Sequence, residues 1–190
     1  MSSLILASQS PRRKSLLEQS GFSFTSQKSS SPEIITDGAN PADAVEALAL
    51  QKAEDVFLYD ANSVILGADT VVTADDYILG KPSTKAQARS MLRSLSGRTH
   101  NVYTGIAILS THVRKLFHVK TEVVFYPLED WFMEEYLSTS EPYDKAGAYG
   151  IQGKGRLFVE SLAGDYFNVV GLPVSRVTRE LQAFDVYPSF

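Results

Sequence analysis

The sequence predicts an α/β fold, and three observations carry that expectation. Apolar runs of strand length alternate along the chain with stretches of helical periodicity. Pro11, Gly21, Pro41, Gly97 and Pro173 fall at joints between them. The 190 residues are 44% hydrophobic and 21% charged, enough for one large domain or two closely packed lobes with a core that needs no staples.

The elements follow in order. Leu4 to Ala7 reads as a short buried strand, and Ser8-Gln9-Ser10 as a turn. Pro11 suits a first helical position with Ser10 as its cap; this helix runs to about Ser20 and stops at Gly21. Residues 22–27 alternate like a strand, and residues 28–40, rich in Ser, Pro, Asp and Gly, read as a loop. Asn40-Pro41 opens a second helix with Val45, Leu48, Ala49, Ala53, Val56 and Phe57 on one face. Ser63 to Thr73 is the clearest strand, and Asp75-Asp76 turns it into a short partner, Tyr77 to Leu79. A helix over 84–95 is ended by Gly97. Strands over about 100–110 and 115–126 are joined by a turn near Thr111 to Arg114. Leu128 to Leu137 is helical, 139–155 is mostly glycine-bearing loop, Arg156 to Ser161 is a strand, and Leu172-Pro173 opens a last helix to about Phe184.

Composition excludes several function classes. There is no cysteine, so disulfides and thiolate metal sites are excluded, and a reducing compartment is compatible. The opening residues lack a basic n-region, and no apolar stretch approaches the roughly 20 residues of a membrane span. The expectation is a cytoplasmic protein with no membrane partner. A formal net charge of −4 and no basic face argue against polymeric nucleic acid. A small anion remains compatible with a local basic cluster.

Four places hold residues suited to chemistry. The turn Ser8-Gln9-Ser10-Pro11-Arg12-Arg13-Lys14 feeds a strand into a helix N-terminus, where backbone N–H groups and a partial positive charge favour anions. Arg12 and Arg13 add guanidiniums matched to phosphate oxygens. A capped helix with a solvated basic face satisfies the same pattern. Asp69 interrupts an apolar strand in Gly67-Ala68-Asp69-Thr70-Val71-Val72. Such an acid is costly unless paired or exposed at a site. It reads as a general base, a metal ligand or one side of a salt bridge. A phosphatase with a nucleophilic Asp wants a second Asp two residues on, where Val71 stands. Gly80-Lys81-Pro82-Ser83 is no P-loop, because Asp75 occupies the position of the required first glycine. Lys81 is either a phosphate-binding point charge or a surface lysine.

The fourth place is Asp144 to Gly155, with Gly147, Gly150, Gly153 and Gly155. Glycines permit close backbone approach to a ligand. Gln152 can donate and accept at once, matching the N3–H and O4 of uracil or thymine; a mobile loop with turn glycines is the plainer alternative. Glu33 lies in the 28–40 loop. Lys52 interrupts the apolar face of the second helix, where a lysine ordinarily snorkels. His100, His112 and His118 show no metal-ligand pairing, so any catalytic metal is a hard, oxygen-bound ion such as Mg²⁺ or Mn²⁺.

Taken together and in this order, these segments resemble the Maf family of nucleoside triphosphate pyrophosphatases. Ser96-Gly97-Arg98-Thr99-His100, Tyr103-Thr104-Gly105 and Gly171-Leu172-Pro173 extend the match. The resemblance makes residues 1–190 a single Maf-like domain. It implies an elongated mixed β-sheet flanked by helices, in two lobes around a cleft, related to inosine triphosphate pyrophosphatases. Asp69 takes the role of general base by resemblance. Ser8, Arg12, Arg13, Lys52 and Lys81 take that of phosphate contacts, and Glu33 joins Asp69 as a metal or catalytic carboxylate. The dTTP- and UTP-cleaving branch is marked by Arg, Thr and Gln, matched by Arg12, Thr70 and Gln152. The 7-methyl-GTP branch carries Gln where Thr70 stands here. A divalent cation (Mg²⁺ or Mn²⁺), a pyrimidine nucleoside triphosphate and a homodimer are implied as cofactor, substrate and assembly. The reaction gives the monophosphate and pyrophosphate and limits incorporation of unwanted nucleotides.

Overall fold

The structure is a computed structural model that describes residues 3–36, 38–75 and 77–190. Its seven-stranded sheet contains β1 (Leu4–Leu6), β2 (Thr25–Ser26), β3 (Val64–Ala74), β4 (Tyr77–Leu79), β5 (Thr99–Leu109), β6 (Arg114–Phe125) and β7 (Val159–Ala163). The order is β2-β1-β3-β5-β6-β7, with β4 beside β3. β1 runs parallel to both β2 and β3, with Leu4, Ile5 and Leu6 opposite Val64, Ile65 and Leu66. β4 is antiparallel to β3, and β7 to β6, so the sheet is mixed as expected. The helices are α1 (Pro11–Gln19), α2 (Pro41–Phe57), α3 (Lys85–Leu95), α4 (Asp130–Leu137), α5 (Tyr166–Val170) and α6 (Val174–Leu181).

The chain forms two compact units: residues 1–69, 104–119 and 171–190 in the first, residues 70–103 and 120–170 in the second. In the first unit, the small face of α2 decides the packing. Asn40 caps α2 by accepting from the N–H of Ala42 at 2.9 Å and of Asp43 at 3.4 Å. Ala49, Ala53 and Val56 then pack on Ile5, Ile65 and Ala107. Two glycines bring helix and sheet together. A Cβ on Gly67 would overlap the Ala49 carbonyl oxygen, and one on Gly105 the Val45 carbonyl. That approach sets Lys52, one residue before Ala53, above β3.

The second unit has its own core, built from Val72, Leu92, Leu95, Val123, Phe125, Met133, Tyr149 and Phe158. His100, Phe125 and Tyr149 meet edge to face, with the His100 Nε2 2.8 Å from the Tyr149 hydroxyl. Residues 139–155 are not plain loop, because 3₁₀ turns form at Glu141–Asp144 and Ala146–Ala148 and begin again at Lys154. Gly147 has φ +68 and sits against Val72, where a Cβ would lie 2.9 Å from Cγ1; only glycine meets both demands.

Several boundaries differ from the sequence expectation. Of residues 22–27, only Thr25–Ser26 pair as strand. Ser10 makes no side-chain cap; its own N–H instead donates to Ser8 Oγ at 3.2 Å. The strand expected at Arg156 begins at Val159, because residues 154–158 take 3₁₀ geometry. α5 is absent from the expected elements; five residues are too few to display a period. Asp75 turns with φ +52, whereas its expected turn partner Asp76 lies outside the described residues.

Candidate active site

Three charged groups converge in the first unit. Lys52 Nζ donates to Asp69 Oδ1 at 2.6 Å and to Glu33 Oε1 at 2.6 Å. Lys52 is 9% exposed and Asp69 7% exposed. A buried lysine between two carboxylates is paired, so the snorkelling expected from its helix position does not occur. The reason lies in packing: α2 rests close on β3, and the ammonium meets Asp69 there and Glu33 beside it. The pairing also answers the cost of an acid inside an apolar strand.

The loop that carries Glu33 is tied to the same helix. Ser30 donates to Asp55 Oδ2 through its N–H at 2.6 Å. That backbone bond, first among several from residues 29–31, holds the Asp55 carboxyl below the usual carboxylate range. Asp55 follows Lys52 by three residues, hence on the same side of α2. It is a supporting residue that sequence reading missed, since nothing in a lone Asp on a helix names its distant partner.

Beside this triad lies the turn after β1. The buried Arg13 guanidinium donates through Nε to the Gly171 carbonyl at 2.8 Å and through Nη1 to Ser8 Oγ at 3.2 Å. Burial pushes its pKa below the usual arginine range; Asp69 and Glu33 pull it up, and Arg12 pushes it further down. Ser8 Oγ accepts from both Arg13 and the Ser10 N–H. With its two lone pairs used, its hydroxyl hydrogen is the group left to donate. α1 starts here with Pro11, so the N-terminal end of the helix adjoins the same turn. Arg12 is half-buried. The first unit thus gathers Ser8, Arg12, Arg13, Glu33, Lys52 and Asp69.

Thr70, Lys81 and Gln152 belong to the second unit. Thr70 follows Asp69 on β3 and is half-buried, while Lys81 and Gln152 are exposed. The segments carrying the last two are joined: the Gly147 N–H donates to the Gly80 carbonyl at 3.1 Å. Pro82, which spoils the P-loop pattern, is buried and fixes the chain just after Lys81.

Among the described residues, no group of three or more His, Cys, Asp or Glu side chains forms a metal cage. Glu33 and Asp69 offer hard carboxylate oxygens that already share one cation, the Lys52 ammonium. A pair of carboxylates completed by substrate phosphates is the donor set that Mg²⁺ commonly uses. The residues therefore fit a divalent ion of that type.

A family profile described as Maf-like protein matches residues 3–184. The chain belongs to the Maf family. Among curated Maf relatives, the dTTP/UTP pyrophosphatase of Bacillus mycoides is 52% identical over 185 residues, spanning 97% of each chain. The protein of the same name from Bacillus cytotoxicus is 51% identical over the same length and shares. A solved Staphylococcus aureus Ham1 protein aligns with 65% of this Maf chain and 71% of its own, at 13% identity and a TM-score of 0.41.

Proposed function

We propose that this Maf protein hydrolyses dTTP and UTP to the monophosphate and pyrophosphate, with CTP and modified pyrimidine nucleotides as further substrates. The observation that carries the reading is the buried Asp69 carboxylate fixed by Lys52, beside a turn that gathers Ser8, Arg12 and Arg13. Curated relatives at about half identity bear the name dTTP/UTP pyrophosphatase.

Asp69 spends Oδ1 on Lys52 and takes a proton from water with Oδ2. The water attacks the α-phosphorus, and pyrophosphate leaves. Ser8 donates its hydroxyl hydrogen to a phosphate oxygen, while Arg12, Arg13, Lys52 and Lys81 offset the triphosphate charge. Glu33 and Asp69 would hold a divalent cation, Mg²⁺ or Mn²⁺, whose charge neutralises the phosphates in the same way. Arg12, Thr70 and Gln152 select the base. The reading also takes the protein as a cytoplasmic homodimer, which light scattering and cell fractionation check.

The test is product identity. Purified protein is incubated with dTTP, UTP, CTP, GTP and ATP in Mg²⁺ or Mn²⁺, and the phosphorus products are resolved by NMR. Pyrophosphate and monophosphate from the pyrimidine nucleotides are expected. Orthophosphate as the direct product, or nucleotide binding without turnover, would overturn the proposal.

A further inference from the structure

We propose that Glu141 is the positioning residue for base selection, setting the turn that presents Gln152. The inference rests on the reading of Gln152 as the base-selecting side chain and concerns residues of the second unit alone. Glu141 opens the first 3₁₀ turn after α4, and its side chain points back into the glycine loop. Oε2 accepts the Lys154 N–H at 2.8 Å, and Oε1 accepts the Gly155 N–H at 3.1 Å and the Tyr136 hydroxyl at 3.1 Å. Its own carbonyl oxygen accepts from Lys145 Nζ at 2.7 Å. One residue thus fixes four groups on both sides of Gln152.

The loop glycines are shaped around this carboxylate. A Cβ on Gly153 would overlap both Glu141 carboxylate oxygens. One on Gly150 would lie 2.6 Å from Lys145 Cε, and one on Gly155 would lie 3.0 Å from the Tyr136 hydroxyl. The glycines therefore make room for an internal anion and its partners. Ile151 is buried, Gln152 is exposed and Gly155 is buried again. The backbone is buried at Ile151 and tied to Glu141 at 154–155, which restricts where and how the Gln152 side chain leaves the chain. A side chain that reads a pyrimidine edge needs that restriction, because an amide free to swing satisfies uracil and cytosine alike.

Glu141→Gln tests this. The amide keeps one oxygen but sets an NH₂ donor against a backbone N–H, so one of the two loop bonds is lost. The measurement is the ratio of kcat/KM for UTP to that for CTP, which differ at the base edge. Both values come from one protein sample, so the ratio is blind to the fraction folded, which a merely structural role would move. The ratio should fall roughly tenfold, the scale of one lost orienting hydrogen bond. The Glu141→Gln, Gln152→Ala double variant should show no further fall beyond that of Gln152→Ala alone, because both act through one side chain.

Tyr136→Phe supplies a milder cut if Glu141→Gln does not fold. It removes one donor to Oε1 and keeps the ring against Phe158, and a smaller fall in the same ratio is expected. An unchanged ratio in the folded Glu141 variant, or in Tyr136→Phe where that variant fails to fold, overturns the positioning role, provided Gln152→Ala lowers it. An unchanged ratio in Gln152→Ala overturns the reading of Gln152 itself, and the proposal with it. Additive losses from the two substitutions would show that Glu141 acts by another route.

Discussion

Lowering the pH from neutrality towards 4 should weaken the fold through His100. Burial pushes this imidazole from its ordinary 6.5 down to about 4, against a smaller opposing pull from the Arg98 backbone. The side chain is 2% exposed, packed edge to face on Phe125 and Tyr149. In the unfolded chain the ring takes a proton as the pH falls through about 6.5; in the folded chain it stays neutral until about 4. Between those values the unfolded state binds more protons, so acid favours unfolding. The contribution is fully present above 6.5 and is lost as the pH falls through 4. At about 1.4 kcal/mol per pKa unit, the loss is about 3 kcal/mol. Urea unfolding of the wild type and His100→Gln, followed by circular dichroism across this range, isolates the effect. Glutamine does not titrate, so the stability difference between the two proteins should shrink by about 3 kcal/mol on going to acid. A difference that stays constant with pH, or an NMR titration of His100 near 6.5, would refute the reasoning.

Other outcomes follow from the same geometry. Asp69→Asn should lower kcat by about 10²–10⁴-fold while triphosphate binding, measured by calorimetry, is largely kept; normal turnover removes Asp69 as base. Chelation with EDTA should abolish pyrophosphate release, and added Mg²⁺ or Mn²⁺ should restore it; turnover that survives chelation removes the metal role given to Glu33 and Asp69. Gly105→Ala should destabilise the protein by about 3 kcal/mol in chemical denaturation, because the new methyl meets the Val45 carbonyl and α2 cannot retreat without unpacking Ala49 and Ala53. Arg13→Met should raise KM for every nucleotide to a similar degree, since it frees Ser8 and Gly171 together; a change confined to one base would contradict that.

Much of this protein was legible before any coordinate. The apolar positions Val45, Leu48, Ala49, Ala53, Val56 and Phe57 were spaced at helical period; the first five are buried and Phe57 is half-buried. Asn40-Pro41 marked the start of α2, and Asn40 caps it. The alternation of strands and helices fixed the α/β class, because those periods follow from backbone geometry and need no tertiary partner. Asp69 stood out for the same local reason: a charge inside an apolar strand is costly wherever the strand goes.

What the chain alone left open was which of its charged residues meet. Lys52 read from its helix position as a snorkelling lysine, and only resemblance made it a phosphate contact; its pairing with Asp69 and Glu33 appears once α2 packs on Gly67 and Gly105. Its partners are 19 and 17 residues away in sequence, and no period links them. Arg12 and Arg13 were indistinguishable as neighbours, yet only Arg13 is buried, because adjacent helix positions face directions about 100° apart. Glu141 carried no motif at all; its importance comes from backbone N–H groups that a 3₁₀ turn aims at it. Local periodicity wrote the elements into the sequence. The site depended on long-range packing, since a charge finds its partner only after the surfaces carrying both have been brought together.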